Sequence, residues 1–226
     1  MVKYSKDILR EKRTINEAKL FCDNIFDSID ENEWQKFFLK KGKDRFYKDF
    51  WDEYYPLSIY SSLKYPRENY LIFLCEDGSK TDAEIITSDN HYVERIQITT
   101  ASFDYNNALK NEKLLKDGYS IGVGKFKREK NNSISQSRGL RSEETALNEE
   151  CNQIINAITK KIKNDTYENI DVLLVATESR FNNVIENYYK KLKNLLATQL
   201  IDKAILLNNK FKEIYLIDFS NKLIKL

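Results

Sequence analysis

The spacing of apolar residues along the chain changes from helical to strand-like and back, and these changes mark the predicted elements. Between residues 14 and 29 apolar side chains recur every three or four positions, which predicts an amphipathic helix. Thr14 followed by Glu17 is the pattern of a capping box and marks the start of that helix. A second, aromatic-rich helix is predicted over residues 31–52, and the proline-bracketed segment after it is predicted to be short and helical or irregular.

The middle of the chain has the alternation and turn signals of β-strands. Residues 70–75 are a compact apolar run that ends at Glu76-Asp77-Gly78-Ser79, a hairpin-turn signal. Further strands are predicted at residues 82–87 and 92–100, and the last of these is rich in β-branched side chains. Because short polar turns join the three strands, we expect an antiparallel meander.

Helices and strands alternate in the second half of the chain. The predicted elements are a helix at 104–117, a long loop at 118–141, a helix at 142–163, a strand at 170–176, a helix at 181–200, and two pairing strands at 213–219 and 222–226. This order predicts an α/β fold with a mixed sheet, in which helices flank the antiparallel three-strand meander. We expect one globular domain, with residues 1–60 as an N-terminal helical region packed on an α/β core of residues 61–226.

Composition narrows the class of protein without naming a function. The chain has 226 residues, of which 41% are hydrophobic and 12% aromatic, as in a globular protein. It contains no apolar run of about 18 residues and no apolar signal core near its start, which predicts a cytoplasmic protein without membrane attachment. The three widely separated cysteines are predicted to be reduced and buried, and the single histidine excludes a histidine-rich zinc site.

Charge is balanced overall but uneven along the chain, with 37 basic and 35 acidic residues. Residues 116–141 contain seven basic residues against two acidic ones, and residues 1–13 contain five against two. Both patches suit a phosphate-bearing partner such as nucleic acid, although a solvated surface rich in lysine has the same composition. The candidate nucleic-acid-binding residues are Lys125, Lys127, Arg128, Lys130, Arg138 and Arg141.

Nucleotide-binding motifs and a histidine-based site are excluded by spacing. Residues 118–125 approach a P-loop, but no Ser or Thr follows the lysine and no strand precedes the segment. Gly122-Val123-Gly124 lacks the third correctly spaced glycine of a dinucleotide fingerprint. His91 lies in or beside a turn and has no serine or cysteine partner near it in the sequence.

Polar side chains on the predicted meander are the best candidates for a functional site. Alternate residues of a strand share a face, so Asp82 and Glu84 point one way, and Arg95, Gln97 and Thr99 lie together on the next strand. If Asp82 and Gln97 lie on the same side of paired strands, two oxygen ligands meet there, and together with water they suit Mg²⁺. The alternative is an ordinary hairpin, in which Asp82 contacts backbone at the start of its strand while Gln97 and Thr99 face solvent.

The stretches KTDAEII and VERIQIT resemble the active-site region of the PD-(D/E)XK nuclease-like superfamily. The predicted order over residues 31–176, a helix, a three-strand meander, a helix and a strand, is similar to the αβββαβ core of that superfamily. The resemblance implies metal-dependent phosphodiester hydrolysis. It identifies Asp82 with the motif aspartate and puts Gln97 where an acidic residue is expected. Thr99 stands in place of the motif lysine, which orients the attacking water and offsets developing negative charge.

The resemblance implies further residues at the site. Arg95 on the same strand, or Lys110 on the following helix, would replace the charge of the missing lysine. Glu53 would add a carboxylate from the preceding helical region, as in other members, and Glu84 is a further candidate metal ligand.

Two functions are open at this point. One is a Mg²⁺-dependent nuclease with a divergent site. The other is a catalytically inactive nuclease-like module that binds nucleic acid or a partner protein. Either would suit mobile-element or defence biology, and either is compatible with a homodimer.

Overall fold

A computed structural model describes residues 4–29, 45–65, 69–101, 109, 112–113, 126–136, 142–163, 167, 169–177, 186–203, 207, 209–219 and 221–226. Within these ranges the protein has an α/β fold, built on a seven-stranded mixed sheet and a separate two-stranded hairpin. Most of the predicted helix at 104–117 lies outside the described residues, as do residues 31–44 of the second predicted helix.

The helices lie mainly before and after the meander. They are α1 Ile15–Asp27, α2 Arg45–Asp49, α3 Tyr55–Lys64, α4 Glu143–Ile162 and α5 Glu186–Leu200, with 3₁₀ helices at Lys6–Arg10 and Ile201–Lys203 and a π-helical turn at Phe50–Tyr54. The strands are β1 Arg13–Thr14, β2 Tyr70–Leu74, β3 Ala83–Thr87, β4 Tyr92–Thr100, β5 Phe126–Arg128, β6 Ile134–Gln136, β7 Ile170–Thr177, β8 Phe211–Asp218 and β9 Leu223–Lys225.

The large sheet has the strand order β1-β2-β3-β4-β7-β8-β9. Strands β2, β3 and β4 are antiparallel neighbours, which confirms the predicted meander. Strand β7 lies parallel to both β4 and β8, and β9 returns antiparallel along β8 as the predicted C-terminal hairpin. All eight residues of β7 are buried, because helices cover both faces of the sheet at its centre.

Each face of the sheet has its own apolar core. Ile96 and Ile98 of β4 pack in an aromatic-rich core with residues of α1, α2, the π-helical turn and α3. Leu173 and Val175 of β7 pack on the other face with residues of α4 and α5. Gln97 lies between two residues of the first core, so the alternation along β4 directs its side chain toward the second face.

Residues 45–64 form one continuous helical segment, so the segment that begins at Pro56 takes the helical form, one of its two predicted forms. Its middle turn is π-helical, and Tyr55 N–H donates to the carbonyl of Phe50. Pro56 has no N–H to give to the carbonyl of Asp52 four residues earlier. The Thr100 hydroxyl of β4 donates to that carbonyl at 3.4 Å. This contact joins the π-helical turn, which carries Glu53, to the strand that carries Gln97.

The capping patterns place two helices correctly. Thr14 and Glu17 form the reciprocal bonds of a capping box at the start of α1, and the Ser142 hydroxyl accepts from Thr145 N–H at the start of α4.

The predicted long loop at 118–141 is wrong for residues 126–136, which form the β5–β6 hairpin. Asn132, in the turn of this hairpin, has the left-handed φ of 66° that asparagine tolerates.

Two predictions from composition concern the cysteines and the membrane. The three cysteines are free; Cys22 and Cys151 are buried as predicted, whereas Cys75 is partly exposed. Of the helices in the described part of the chain, none combines the length and apolar character needed to cross a membrane.

Candidate functional site

Asp82 and Gln97 are in contact where β3 begins beside β4. Ala83 pairs with Ile96 in the antiparallel register, so Asp82 comes opposite Gln97. The Gln97 side-chain amide Nε2 donates to Asp82 Oδ2, and the backbone N–H of Ile98 donates to the same oxygen at 2.7 Å. The side chains of the two candidate ligands therefore meet on one side of paired strands, with the Gln97 amide nitrogen toward Asp82. Asp82 also contacts the backbone N–H of Ile98, as the ordinary-hairpin alternative predicts.

Gln97 does not lie on a solvent face. The ordinary-hairpin alternative, in which Gln97 faces solvent, is therefore wrong for this residue. Its side chain is buried with 1% exposure, and its Oε1 finds no hydrogen-bond donor among the described residues. A buried carbonyl oxygen without a donor costs about 1–3 kcal/mol. Such an atom beside a carboxylate is suited to accept a cation.

Lys161, near the end of α4, supplies a positive charge at Asp82. Its Nζ lies 3.4 Å from Asp82 Oδ2, and its side chain is mostly buried over the ring of Tyr167, with Nζ 5.2 Å from the ring centroid. Sequence reasoning missed this residue because it looked for the replacement of the motif lysine on β4 and on the helix at 104–117. A signal exists: Lys161 follows the buried residues Ala157 and Ile158 at helical spacing, so it borders the buried side of α4.

Glu53, in the π-helical turn, shares the electrostatic environment of Asp82 and Lys161. Burial raises the pKa of Glu53 to about 8, and the negative charges of Asp82 and Asp49 act in the same direction. The positive charges of Lys161 and Lys6 act against this rise in pKa. Glu53 therefore holds a proton up to about neutral pH in the absence of a cation.

Arg95 and Glu84 form a separate pair. They are opposite each other in the β3–β4 register, and Arg95 Nε lies 3.7 Å from Glu84 Oε1. The Arg95 side chain is 50% exposed and its guanidinium lies over the ring of Tyr92, 5.0 Å from the centroid. Its charge is thus engaged with Glu84 rather than Asp82. Lys110, the other expected replacement for the motif lysine, lies outside the described residues.

A cavity of about 440 Å³ adjoins these residues, and both Glu53 and Asp82 line it. The 3₁₀ helix Lys6–Arg10, α2 and the turn between β2 and β3 form its other walls. Several basic side chains line the same cavity: Lys6, Arg10, Arg45 and Lys48.

The expected nucleic-acid-binding loop is only partly described. Lys127 and Lys130 are exposed near the tip of the β5–β6 hairpin. The Arg128 guanidinium is paired with the carboxylate of Glu112, with Nη1 3.1 Å from Oε1. Lys125, Arg138 and Arg141 fall outside the described residues.

The candidate ligand atoms at the site, from Asp82, Gln97 and Glu53, are oxygens, which suit a hard cation. In the described ranges, no three His, Cys, Asp or Glu side chains group closely enough to hold a metal ion by themselves. Mg²⁺ needs fewer protein ligands, because it keeps several waters and often uses one or two carboxylates. Asp82, the unpartnered Oε1 of Gln97, and Glu53 once deprotonated would meet that need.

Comparison with known proteins returned no family model, no curated protein and no solved structure that matches this chain. The side chains around Asp82 are therefore the basis for inferring what the protein does.

Proposed function

We propose that the protein is a Mg²⁺-dependent nuclease with the αβββαβ core of the PD-(D/E)XK nuclease-like superfamily. The observation that carries this proposal is the meeting of the Gln97 side-chain amide and the Lys161 ammonium group at Asp82. Gln97 of β4 bonds to Asp82, and Lys161 of α4 lies 3.4 Å from the same carboxylate oxygen. Glu53 lines the same cavity as Asp82, and the negative charge of Asp82 contributes to the raised pKa of Glu53.

The order and pairing of the elements support the same proposal. The helical segment 45–64, the β2–β3–β4 meander, α4 and β7 follow one another in the order helix, three strands, helix, strand. Strand β7 lies next to β4 and parallel to it. This topology brings the end of α4 back to the start of β3, where Asp82 lies.

The residues at the site have distinct roles. Asp82, Gln97 Oε1 and Glu53 would hold the cation, and a bound Mg²⁺ would supply an activated water and charge stabilisation for phosphoryl transfer. Lys161 takes the role of the motif lysine, because position 99 holds a threonine instead. Its ammonium group neutralises the charge of Asp82 and can donate a hydrogen bond to a phosphoryl oxygen. The lysine reaches the site from the helix instead of from the strand.

Cleavage assays on purified protein test the proposal. Plasmid, single-stranded DNA and RNA are incubated with Mg²⁺ or Mn²⁺, and Asp82→Asn is compared with Glu84→Gln. Both changes replace a carboxylate with its amide near the start of β3, but only Asp82 contacts Gln97 and Lys161.

We expect metal-dependent cleavage that Asp82→Asn lowers by about 10²-fold or more and Glu84→Gln leaves nearly unchanged. Circular dichroism and thermal melting verify that both variants fold. No cleavage with any metal or substrate by a folded wild-type protein contradicts the proposal. Nucleic-acid binding that persists in EDTA without cleavage would identify the inactive binding module instead.

A further inference from the structure

We propose that the cavity beside Asp82 binds a backbone phosphate of the nucleic-acid substrate through Lys6, Arg10 and Arg45, and that Asp77 occupies this anion position in the free protein. The inference rests on the proposed nuclease function, because it assigns the part of the site that holds the strand next to the cleaved bond. Two of its cations, Lys6 and Arg10, belong to the basic patch at residues 1–13, whereas Arg45 lies outside both basic patches.

Three basic side chains from two different elements converge on the carboxylate of Asp77. Lys6 Nζ bonds to Asp77 Oδ1, and Arg10 Nη2 lies 3.2 Å from the same oxygen. Arg45 Nη2 lies 2.5 Å from Asp77 Oδ2. Lys6 and Arg10 belong to the 3₁₀ helix and Arg45 to α2, so separate parts of the N-terminal region form one anion-binding cluster.

The charge of this cluster suits an anion with several oxygen atoms. Hydrogen bonding and the charge of Lys6, together with the charges of Arg45 and Arg10, lower the pKa of Asp77 below its usual range. Two other carboxylates lie near these cations. Asp49 Oδ2 lies 2.9 Å from Lys6 Nζ and 3.8 Å from Arg45 Nε, and the exposed Asp7 has its Oδ1 3.2 Å from Arg10 Nη1. Guanidinium groups bind phosphate oxygens in a planar, two-point geometry, so two arginines and a lysine match a phosphodiester well.

Asp77 and its three partners are held by different parts of the protein. The cations extend from helical elements whose residues Leu9, Phe46 and Tyr47 are buried in the core. Asp77 lies in the turn between β2 and β3, with a half-exposed side chain, and is followed by Gly78 at a φ of +84°. A phosphate can therefore replace the Asp77 carboxylate while the cations stay in place.

The position of the cluster connects it with the candidate catalytic residues. Lys6, Arg10, Arg45 and Asp77 line the same cavity as Glu53 and Asp82. A strand whose scissile phosphate lies at Asp82 would thus have a neighbouring phosphate within this cavity. A purely structural role for Asp77 is the alternative, in which these partly exposed ion pairs only tie the turn to the N-terminal region.

Binding without cleavage separates the two roles. A fluorescent DNA oligonucleotide is titrated in EDTA, and anisotropy is recorded at several salt concentrations for wild type and for four variants. Asp77→Asn removes the competing carboxylate, Arg45→Gln removes the most exposed cation, and Arg10→Gln/Arg45→Gln removes both arginines. Lys19→Gln, on the exposed side of α1, is the control for loss of one positive charge.

We expect Asp77→Asn to bind DNA about threefold to tenfold more tightly than wild type. The double variant should bind about tenfold or more weakly, and its slope of log K against log salt should fall by about 2. Arg45→Gln should lie between it and wild type, and Lys19→Gln should match wild type. Thermal melting identifies any variant that fails to fold. If the double variant fails to fold, the single variant Arg45→Gln still tests the inference.

Unchanged or weaker binding by Asp77→Asn, or unchanged binding by Arg45→Gln, overturns the inference. Because these titrations contain no metal, they do not depend on cleavage. If binding changes as expected but no nuclease activity is found, the phosphate site stands and the catalytic proposal is rejected. If the protein cleaves DNA with metal but these substitutions leave DNA binding unchanged, the nuclease proposal stands and the phosphate site is rejected.

Discussion

Lys161 Nζ lies 3.4 Å from Asp82 Oδ2, although 79 residues separate the two in the chain. The strand that carries Gln97 has a threonine at position 99, where the resemblance expects a lysine. The last turn of α4 brings a lysine to the same carboxylate from another part of the fold. A lysine thus contacts Asp82 although none stands at position 99.

The first prediction concerns this lysine. Lys161→Met keeps much of the side-chain volume but removes the charge, so we expect cleavage to fall by about 10²–10³-fold. Lys160→Met is the matched control, because Lys160 is exposed on the same turn of α4. Turnover rates on plasmid DNA measure the effect, and melting curves confirm the fold. Equal activity of the two variants would remove Lys161 from the mechanism.

The second prediction follows from the protonated state of Glu53. Its folded pKa of about 8 lies above the ordinary glutamate value of 4.5, so the folded protein binds this proton more tightly than the unfolded chain does. The associated stability is complete at low pH and is lost as the pH rises through about 8. In EDTA, Glu53→Gln should therefore lose less stability than wild type between about pH 6 and pH 9, by roughly 3 kcal/mol.

Urea unfolding at the two pH values measures this difference. Glu144→Gln, which changes an exposed glutamate of α4, is the control and should follow wild type. The same pH dependence in Glu53→Gln and wild type would show that Glu53 does not hold the proton.

The third prediction restores the acidic residue of the motif. In Gln97→Glu a second carboxylate replaces the amide that donates to Asp82, so the variant should be less stable than wild type in EDTA. A bound cation offsets the repulsion, and Mg²⁺ should raise the melting temperature of this variant by several degrees more than that of wild type. Differential scanning fluorimetry with and without Mg²⁺ measures both effects. Gln153→Glu on α4 is the control, and an identical Mg²⁺ response in the two variants would argue against a cation site at Gln97.

The fourth prediction separates stability from function at a buried network on the opposite face of the sheet. Lys64 Nζ donates to Glu94 Oε1 at 2.5 Å and to Glu213 Oε2 at 3.1 Å, and the hydroxyl of Tyr60 donates to Glu94 Oε2 at 2.9 Å. Lys64→Met leaves the buried Glu94 carboxylate without its cation, which should cost about 3 kcal/mol.

Cleavage per folded molecule should stay at the wild-type level in Lys64→Met, because Lys64 is remote from the groups that contact Asp82. The double variant Lys64→Met/Glu94→Gln should recover part of the lost stability. Urea unfolding and activity at low temperature measure the two effects separately. A loss of activity larger than the loss of folded protein would instead connect this network with the site.

The sequence by itself determined most of the local elements and made the contact between Asp82 and Gln97 one of two alternatives. Capping residues marked the starts of α1 and α4, because a side chain that caps a helix acts within three residues of its own position. Strand alternation predicted which residues of each strand share a face. The pairing register, which shifts by one residue at an irregularity between Ile85 and Ile86, put Asp82 opposite Gln97. The resemblance to a nuclease-like core followed from these same local patterns.

Only the tertiary structure decided which charges join that pair. Helical spacing says that Lys161 borders the buried side of α4, but not which strand residue it meets, because that depends on how α4 packs across the sheet. Glu53 reaches the cavity from a π-helical turn beside Pro56, whose geometry helical periodicity does not encode. Arg95 shares a strand face with Gln97 as expected, yet the register gives it Glu84 as its partner. Contacts within one hairpin are set by local geometry, whereas contacts between distant elements are set by the packing of the whole core.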